Sequence, residues 1–322
     1  PPRSTLSSSS AASDVYKRQD LMGLHDMETM RQIVQTMKDI DPNIFIYGEP
    51  WTAGDTPIDP TVKGKQKGEG FSVFNDHFRD ALKGPWYNTD PGYIQTSKGS
   101  DKVRPGIKGS IKDFTQYPYE SINYVAVHDG RTFWDQLNAS TKDSNFTRIE
   151  LIAMNKLAAA ILFTSQGVPF IHGGQEMLRT KFDSHNSYNQ PDEINKIRWQ
   201  WKKDNMDVFK YYQGLIKLRK EHPIFRKTDP KDIEQNLHFL DFIGSHSPHT
   251  TISYILNRGN SDDSWEKVLV FINPNQHNVK FRLAAGNWNV VVDNKNAGIK
   301  TLYKMNAKEI ELPPISCFVL WK

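Results

Sequence analysis

Three carboxylates stand at positions where they could do chemistry. Glu49 closes the short apolar run IFIYGE (44–49), and Asp129 closes SINYVAVHD (121–129). Asp20 stands ahead of an amphipathic segment, at a strand end if a strand precedes it. Carboxylates gathered at one rim suit glycoside hydrolysis. One attacks or stabilises the anomeric carbon, and a protonated one donates to the leaving oxygen. On that reading Asp20 is the candidate nucleophile and Glu49 the candidate acid/base. A general acid must keep its proton at working pH, which a partly apolar setting favours; Tyr47 and Trp51 flank Glu49 and could supply one. His128 and Asp129 could hold sugar hydroxyls and stabilise charge in an oxocarbenium-like transition state. Each residue also has an ordinary reading. GEPW alone suits a turn, a lone His-Asp pair suits a structural cap, and Asp20 alone suits an N-cap. Their order on successive strand ends favours the chemical reading.

The elements that must position these residues alternate along the chain. Met27, Met30, Ile33, Val34, Met37 and Ile40 form one helical stripe, ended by Asp41-Pro42-Asn43. Strands are expected at 44–49, at the start of FSVFNDHFRDALKG (71–84), at 121–129 and at VPFIHGGQE (168–176). Helices are expected over the rest of 71–84, over 147–166 and over 208–225. Residues 85–118 read as a long irregular stretch with a short helix, and 177–204 as a polar loop. Alternating strand and helix predicts parallel strands, and in parallel barrels the chemistry collects at the strands' C-terminal ends. From about residue 235 the texture changes. TISYILNR, KVLVFINPN, KFRLAAG, NWNVVVDN, KEIELPP and SCFVLWK are short alternating runs that predict an antiparallel β-sandwich. Residues 1–19, PPRSTLSSSSAASDVYKRQ, are Ser-rich, polar and aperiodic, and are expected to be a disordered leader.

Bulk properties remove other classes. The 322 residues carry a net charge of +4, with both signs interleaved and no basic block, which argues against a nucleic-acid partner. The single cysteine, Cys317, excludes a disulfide framework and reads as a small core residue. No apolar run approaches membrane-spanning length. There is no HExxH, no P-loop and no GxSxG elbow. His77, His172 and His185 are scattered and read as ordinary polar histidines. Asp55, Asp59 and Asp183 read as solvated loop residues, so no metal site is assigned. Trp265 and Trp288 would suit starch stacking if exposed.

The ordered set DLMGLHD, YGEPW, FNDHFRDALKG, INYVAVHDGRTFWDQL, GVPFIHGGQEMLRTK and NSYNQPDEIN resembles the type I pullulanases. These belong to the α-amylase superfamily and cleave α-1,6 branches in pullulan, starch and glycogen dextrins. The resemblance runs from about residue 20 to the C-terminus. It implies that Asp20 is the nucleophile, Glu49 the proton donor and Asp129 the transition-state stabiliser, with His128 beside it. It also implies that Trp51 flanks the leaving-group side, and that Tyr188 and Asp192 contact the sugar on the non-reducing side. Hydrolysis with retention is implied, with a carboxylate pair roughly 5–5.5 Å apart. The implied partner is an α-glucan. No cofactor is required, and the family allows calcium.

The sequence departs from the family at three points. An Arg stands two residues before the family's nucleophile; here Arg18 does so, but within the leader's sequence. Gly130 follows His128-Asp129 where many pullulanases have Asn; isoamylase-like debranching enzymes also show Gly there. The superfamily's first conserved segment and the pullulanase heptapeptide, both upstream of the nucleophile, are not in this chain. The expected fold is therefore α/β: the C-terminal half of a (β/α)8 TIM barrel over 20–234, then an antiparallel β-sandwich over 235–322, with 1–19 a non-native leader. An open half-barrel would show little activity alone, since only closure removes strand edges. The alternatives are a non-catalytic glucan-binding or partner-assembled half-barrel, and an isoamylase-like debranching enzyme.

Overall fold

The computed structural model describes residues 21–240 and 249–322, together with the backbone of 16–19; Asp20 lies outside the described residues. The first sheet has five strands: β1 (Tyr16–Gln19), β2 (Phe45–Gly48), β3 (Ser72–Phe74), β4 (Ser121–Asn123) and β5 (Val168–Pro169). They lie in the order β1-β2-β3-β4-β5, and every pair is parallel. Neighbours in the sheet are thus neighbours in the chain, the arrangement of successive barrel units.

β1 corrects the sequence reading, because it falls inside the expected leader. Tyr16–Gln19 pair with Phe45–Gly48, with Gln19 opposite Gly48. The physical reason is that the outer edge of β2 offers unpaired N–H and C=O groups, and a strand edge pairs with backbone whatever the side chains. A strand therefore ends immediately before Asp20 in the chain, as β2 ends immediately before Glu49. Residues 1–15, the rest of the leader expected over 1–19, lie outside the described residues.

β4 and β5 are shorter than 121–129 and 168–176 suggest. The last ladder bond between them is donated by the Phe170 amide to the Asn123 carbonyl at 2.8 Å, and the apolar runs continue beyond it without regular pairing. Side-chain amides brace β4 itself. Asn75 donates to Asn123 Oδ1 at 2.9 Å, to Ser121 Oγ at 2.9 Å and to Ser110 Oγ at 3.0 Å. Asn123 in turn donates to the carbonyls of Gly106 and Gln166.

The helix Met27–Ile40 starts where Asp26 accepts from the Thr29 amide at 2.7 Å. Met30 and Val34 are buried on its stripe, whereas Ile40, at the overhanging last turn, is exposed. The helix Arg148–Thr164 opens on a Thr147/Glu150 capping box. It is apolar almost all round because it is covered on several sides, by helices Phe133–Ser140 and Met206–Glu221 and by the second sheet. Residues 85–118 hold two helices, Tyr93–Thr96 and Ser100–Ile107. The loop 177–204 holds Asp192–Asn195 and Gln200–Asp204.

The antiparallel part comprises β6 (Leu237–Phe239), β7 (Ile252–Asn257), β8 (Lys267–Asn273), β9 (Val279–Arg282), β10 (Trp288–Val292), β11 (Tyr303–Met305), β12 (Glu309–Leu312) and β13 (Ser316–Trp321). Six form one sheet in the order β11-β10-β13-β8-β7-β6, and β12 pairs with β9. Phe271, Phe281, Ile310, Phe318 and Leu320 fill the space between the sheets. On the large sheet's other face, Tyr254 donates to Thr164 Oγ1 at 2.8 Å at the end of helix Arg148–Thr164. Cys317 is buried there, which pushes its thiol well up. β6 and β11 escape the sequence reading because three residues carry too little alternation.

Trp265 and Trp288 are 4% and 1% exposed, which removes them as starch-stacking candidates. Trp265 is stacked between His222 and Trp321, with ring centroids at 3.4 and 4.8 Å. Trp288 lies inside the sandwich.

The two parts meet closely at Gly214, on helix Met206–Glu221. A Cβ there would stand 1.9 Å from the Ala297 carbonyl oxygen. Gly→Ala in a helix ordinarily gains about 1 kcal/mol. Here overlap with backbone should cost about 1–3 kcal/mol and reverse the sign. Gly214→Ala is expected to lower the thermal unfolding midpoint; a raised midpoint would mean that the segment at Ala297 yields freely.

Candidate active site

β2 ends at Gly48, and the next side chain, Glu49, is only 3% exposed. Its Oε2 accepts from the Leu21 amide at 3.2 Å. The chain after β4 delivers His128 and Asp129, both exposed, to the same end of the sheet. A Glu49 carboxylate oxygen, an Asp129 carboxylate oxygen and a His128 ring nitrogen all lie within 4.8 Å of one another. His128 Nε2 is 3.3 Å from Asp129 Oδ1.

An aromatic floor supports this cluster. Phe45, Tyr47, Phe74, Tyr124 and Phe170 interlock at centroid distances of 5.1–5.8 Å. Trp51 packs half-buried against the same group. The Tyr124 hydroxyl accepts from Arg79 Nη1 at 2.9 Å. Burial pushes the Tyr124 phenol up to about 12, against the pull of Arg79 and with the Glu49 charge acting in the same upward direction. The floor thus gives Glu49 the apolar setting that Tyr47 and Trp51 suggest.

The loop 177–204 closes over the rim through two cations. Lys181 donates to the His128 carbonyl at 2.9 Å and to Ser187 Oγ at 2.9 Å. Asp135 holds the base of this loop, accepting from the Lys181 amide at 2.7 Å and from the Thr180 hydroxyl. Arg179 donates to the Gly173 carbonyl at 3.0 Å, to the Asn195 carbonyl at 2.5 Å and to His172 Nε2 at 3.3 Å. His172 is pushed down to about 3, first by burial and then by the charges of Arg179, Lys181 and His128, so it stays neutral. Asn195 also donates to the Ser187 carbonyl at 2.6 Å.

Tyr188 follows Ser187 and is 81% exposed, and Asp192 is exposed at the first position of helix Asp192–Asn195. Their tie to the rim runs through Ser187. Thus Glu49, His128 and Asp129 come together, Trp51 flanks them, and Tyr188 and Asp192 stand on the adjoining loop. Asp20 lies outside the described residues.

Several rim residues carry no signal in the sequence. Trp86 lies against the Asp129-Gly130 turn: a Cβ at Gly130 would stand 2.6 Å from its Nε1. His185 meets Trp86 at 4.6 Å between rings. His172 and His185, read as ordinary histidines, both belong to this rim. Lys181, Arg179 and Asp135 are found only once the loop is folded. His77 does keep an ordinary role, paired with Asp113 at 2.7 Å. Asp59 pairs with Lys65 at 2.5 Å, and Asp183 pairs with Arg131. A cavity of about 720 Å³ lies elsewhere, between helices Asp76–Lys83 and Ser100–Ile107, and none of the rim residues lines it.

Among the described residues, Glu49, His128 and Asp129 are also the set that could hold a metal ion. Calcium takes six to eight oxygen ligands. Two carboxylates and an imidazole nitrogen do not fit it. Chemically the cluster suits proton donation from a buried carboxyl beside an exposed, hydrogen-bonding His-Asp pair. The described residues include no helix long and apolar enough to cross a membrane.

A family model described as "Pullulanase, all-beta domain" matches residues 233–296. The pullulanase of Bacillus subtilis (strain 168) is 34% identical over 277 residues, 83% of this chain and 38% of that protein. The structure of pullulanase from Bacillus acidopullulyticus has a TM-score of 0.91 at 39% identity, over 96% of this chain and 38% of its own. The structure of pullulanase type I from Bacillus subtilis str. 168, complexed with maltose, has a TM-score of 0.85 at 30% identity, over 95% and 43%. The chain therefore spans well under half the length of the relatives it matches. With these likenesses, the parallel sheet and its helices are part of a (β/α)8 barrel, followed by a β-sandwich.

Proposed function

We propose, since this chain belongs to the pullulanase family, that the protein hydrolyses α-1,6-glucosidic branch linkages in pullulan, amylopectin or limit dextrins. The observation that carries this reading is the buried Glu49 carboxyl, within 4.8 Å of His128 and Asp129 above an aromatic floor. Glu49 donates its proton to the glycosidic oxygen. Asp20 attacks the anomeric carbon and forms a glycosyl-enzyme intermediate. Glu49, now a base, takes a proton from the water that releases the sugar, so configuration is retained. Asp129 binds sugar hydroxyls and opposes the positive charge of the transition state, with His128 beside it. Trp51 flanks the leaving group, and Tyr188 and Asp192 meet the sugar on the non-reducing side. Residues 20–234 form the catalytic unit and 235–322 the β unit that covers its outer helices. No cofactor takes part.

The test is reducing-end release by the native protein from pullulan and from linear amylose, with the anomer of the first product read by NMR. Release from pullulan with an α-anomer first supports the reading. Cleavage of amylose alone, or binding of pullulan without turnover, overturns it; the second result favours a non-catalytic glucan binder.

A further inference from the structure

We propose that Lys181 is a positioning residue of this site: one buried ammonium that fixes the His128-Asp129 turn and locks the sugar-binding loop to it. The inference rests on the glycoside-hydrolase reading above.

Lys181 is 1% exposed, yet the acceptors of its ammonium are neutral: the His128 carbonyl and the Ser187 hydroxyl, each at 2.9 Å. Burying an ammonium against neutral acceptors is costly, and for packing alone an apolar side chain would serve better. What the charge adds is direction. Two of its three N–H donors bind two different loops at once, and both loops carry site residues. The first bond fixes the backbone of His128, whose ring and neighbouring Asp129 form the cluster with Glu49. The second holds Ser187, the residue before Tyr188. The lysine is itself placed by Asp135, through the Lys181 amide at 2.7 Å and the adjacent Thr180 hydroxyl. Asp135 and Asp129 are also the carboxylates whose charges support the ammonium against burial and Arg179.

The turn needs such a tether. It ends on Gly130 at φ 69°, past the point where regular pairing of β4 stops. Without a fixed carbonyl at His128, Asp129 would move relative to Glu49, and a misplacement of about 1 Å can cost about a hundredfold in rate.

The two bonds can be separated by mutation. Lys181→Ala is expected to lower kcat on pullulan about a hundredfold, because the geometry around the reacting carbon loosens. Ser187→Ala cuts only the loop-side bond, and is expected to raise KM several-fold at near-unchanged kcat. Added propylammonium, which refills the space with an ammonium, should restore part of the Lys181→Ala activity. A folded Lys181→Ala variant with wild-type kcat, or one that propylammonium cannot rescue, overturns the proposal. If Lys181→Ala does not fold by circular dichroism, Ser187→Ala decides, and an unchanged KM overturns it. Should the native protein release nothing from pullulan, the function reading fails instead. The tether is then judged on a crystal structure of the Lys181→Ala variant: an unmoved His128 carbonyl refutes it and a shifted turn upholds it.

Discussion

Glu49→Gln is expected to lower kcat on pullulan by about 10²–10⁴-fold, the range a positioned acid/base contributes. The substitution keeps the volume of a side chain that is 3% exposed and leaves an oxygen to accept from the Leu21 amide at 3.2 Å. The fold should therefore survive, and the loss can be assigned to the missing proton. Two measurements separate this from general damage. A glycosyl fluoride needs no protonated leaving group, so formation of the glycosyl-enzyme from it should be nearly normal in the variant. Breakdown then lacks a base, and azide, which needs none, should speed turnover and appear as an α-glycosyl azide. A variant that keeps full activity on pullulan, or is equally slow on the fluoride and indifferent to azide, removes Glu49 from the acid/base role.

The same residue illustrates what the sequence can carry. Glu49 is legible because a carboxylate at the end of an apolar, aromatic run has few structural reasons to be there. His128-Asp129 is legible on the same ground. Period-2 and period-3.6 patterns find the longer helices and most strands, but miss the short helices Phe133–Ser140 and Pro230–Asn236. They overextend β4 and β5, because an apolar run reads the same whether or not a ladder pairs its backbone. They miss β1, whose pairing to β2 depends on an available edge rather than on YKRQ. They miss the rim cations for a different reason. Lys181 and Arg179 lie within a polar loop, where a charged residue is unremarkable until folding buries it against His128 and His172. The aromatic content allowed sugar stacking at Trp265 and Trp288, but burial is a property of the tertiary fold, and both are enclosed.

Stability should fail most sharply at a second buried charge, where the barrel part passes into the sandwich. Lys227 Nζ is 2.6 Å from Asp232 Oδ2 and 2.7 Å from the Arg258 carbonyl, and the two side chains are 1% and 5% exposed. Asp232 Oδ1 accepts from Asn236 Nδ2 at 2.7 Å and from the Asn260 amide at 3.1 Å. Both carboxylate oxygens are thus hydrogen-bonded, across helix Pro230–Asn236 and the turn that follows β7. An exposed ion pair contributes at most about 1 kcal/mol. A buried pair behaves differently: deleting one partner leaves the other charge without compensation and costs about 3–5 kcal/mol. Asp232→Asn should therefore shift urea unfolding by about that amount and be nearly insensitive to salt, since screening does not reach a buried pair. Removing both charges in Lys227→Met/Asp232→Asn should recover much of the loss, because no ion is then stranded. If the single variant lies within about 1 kcal/mol of wild type, or the double variant is worse than the single, the pair is not what holds this junction. The Gly214 contact and the Trp265 stack would then have to carry it.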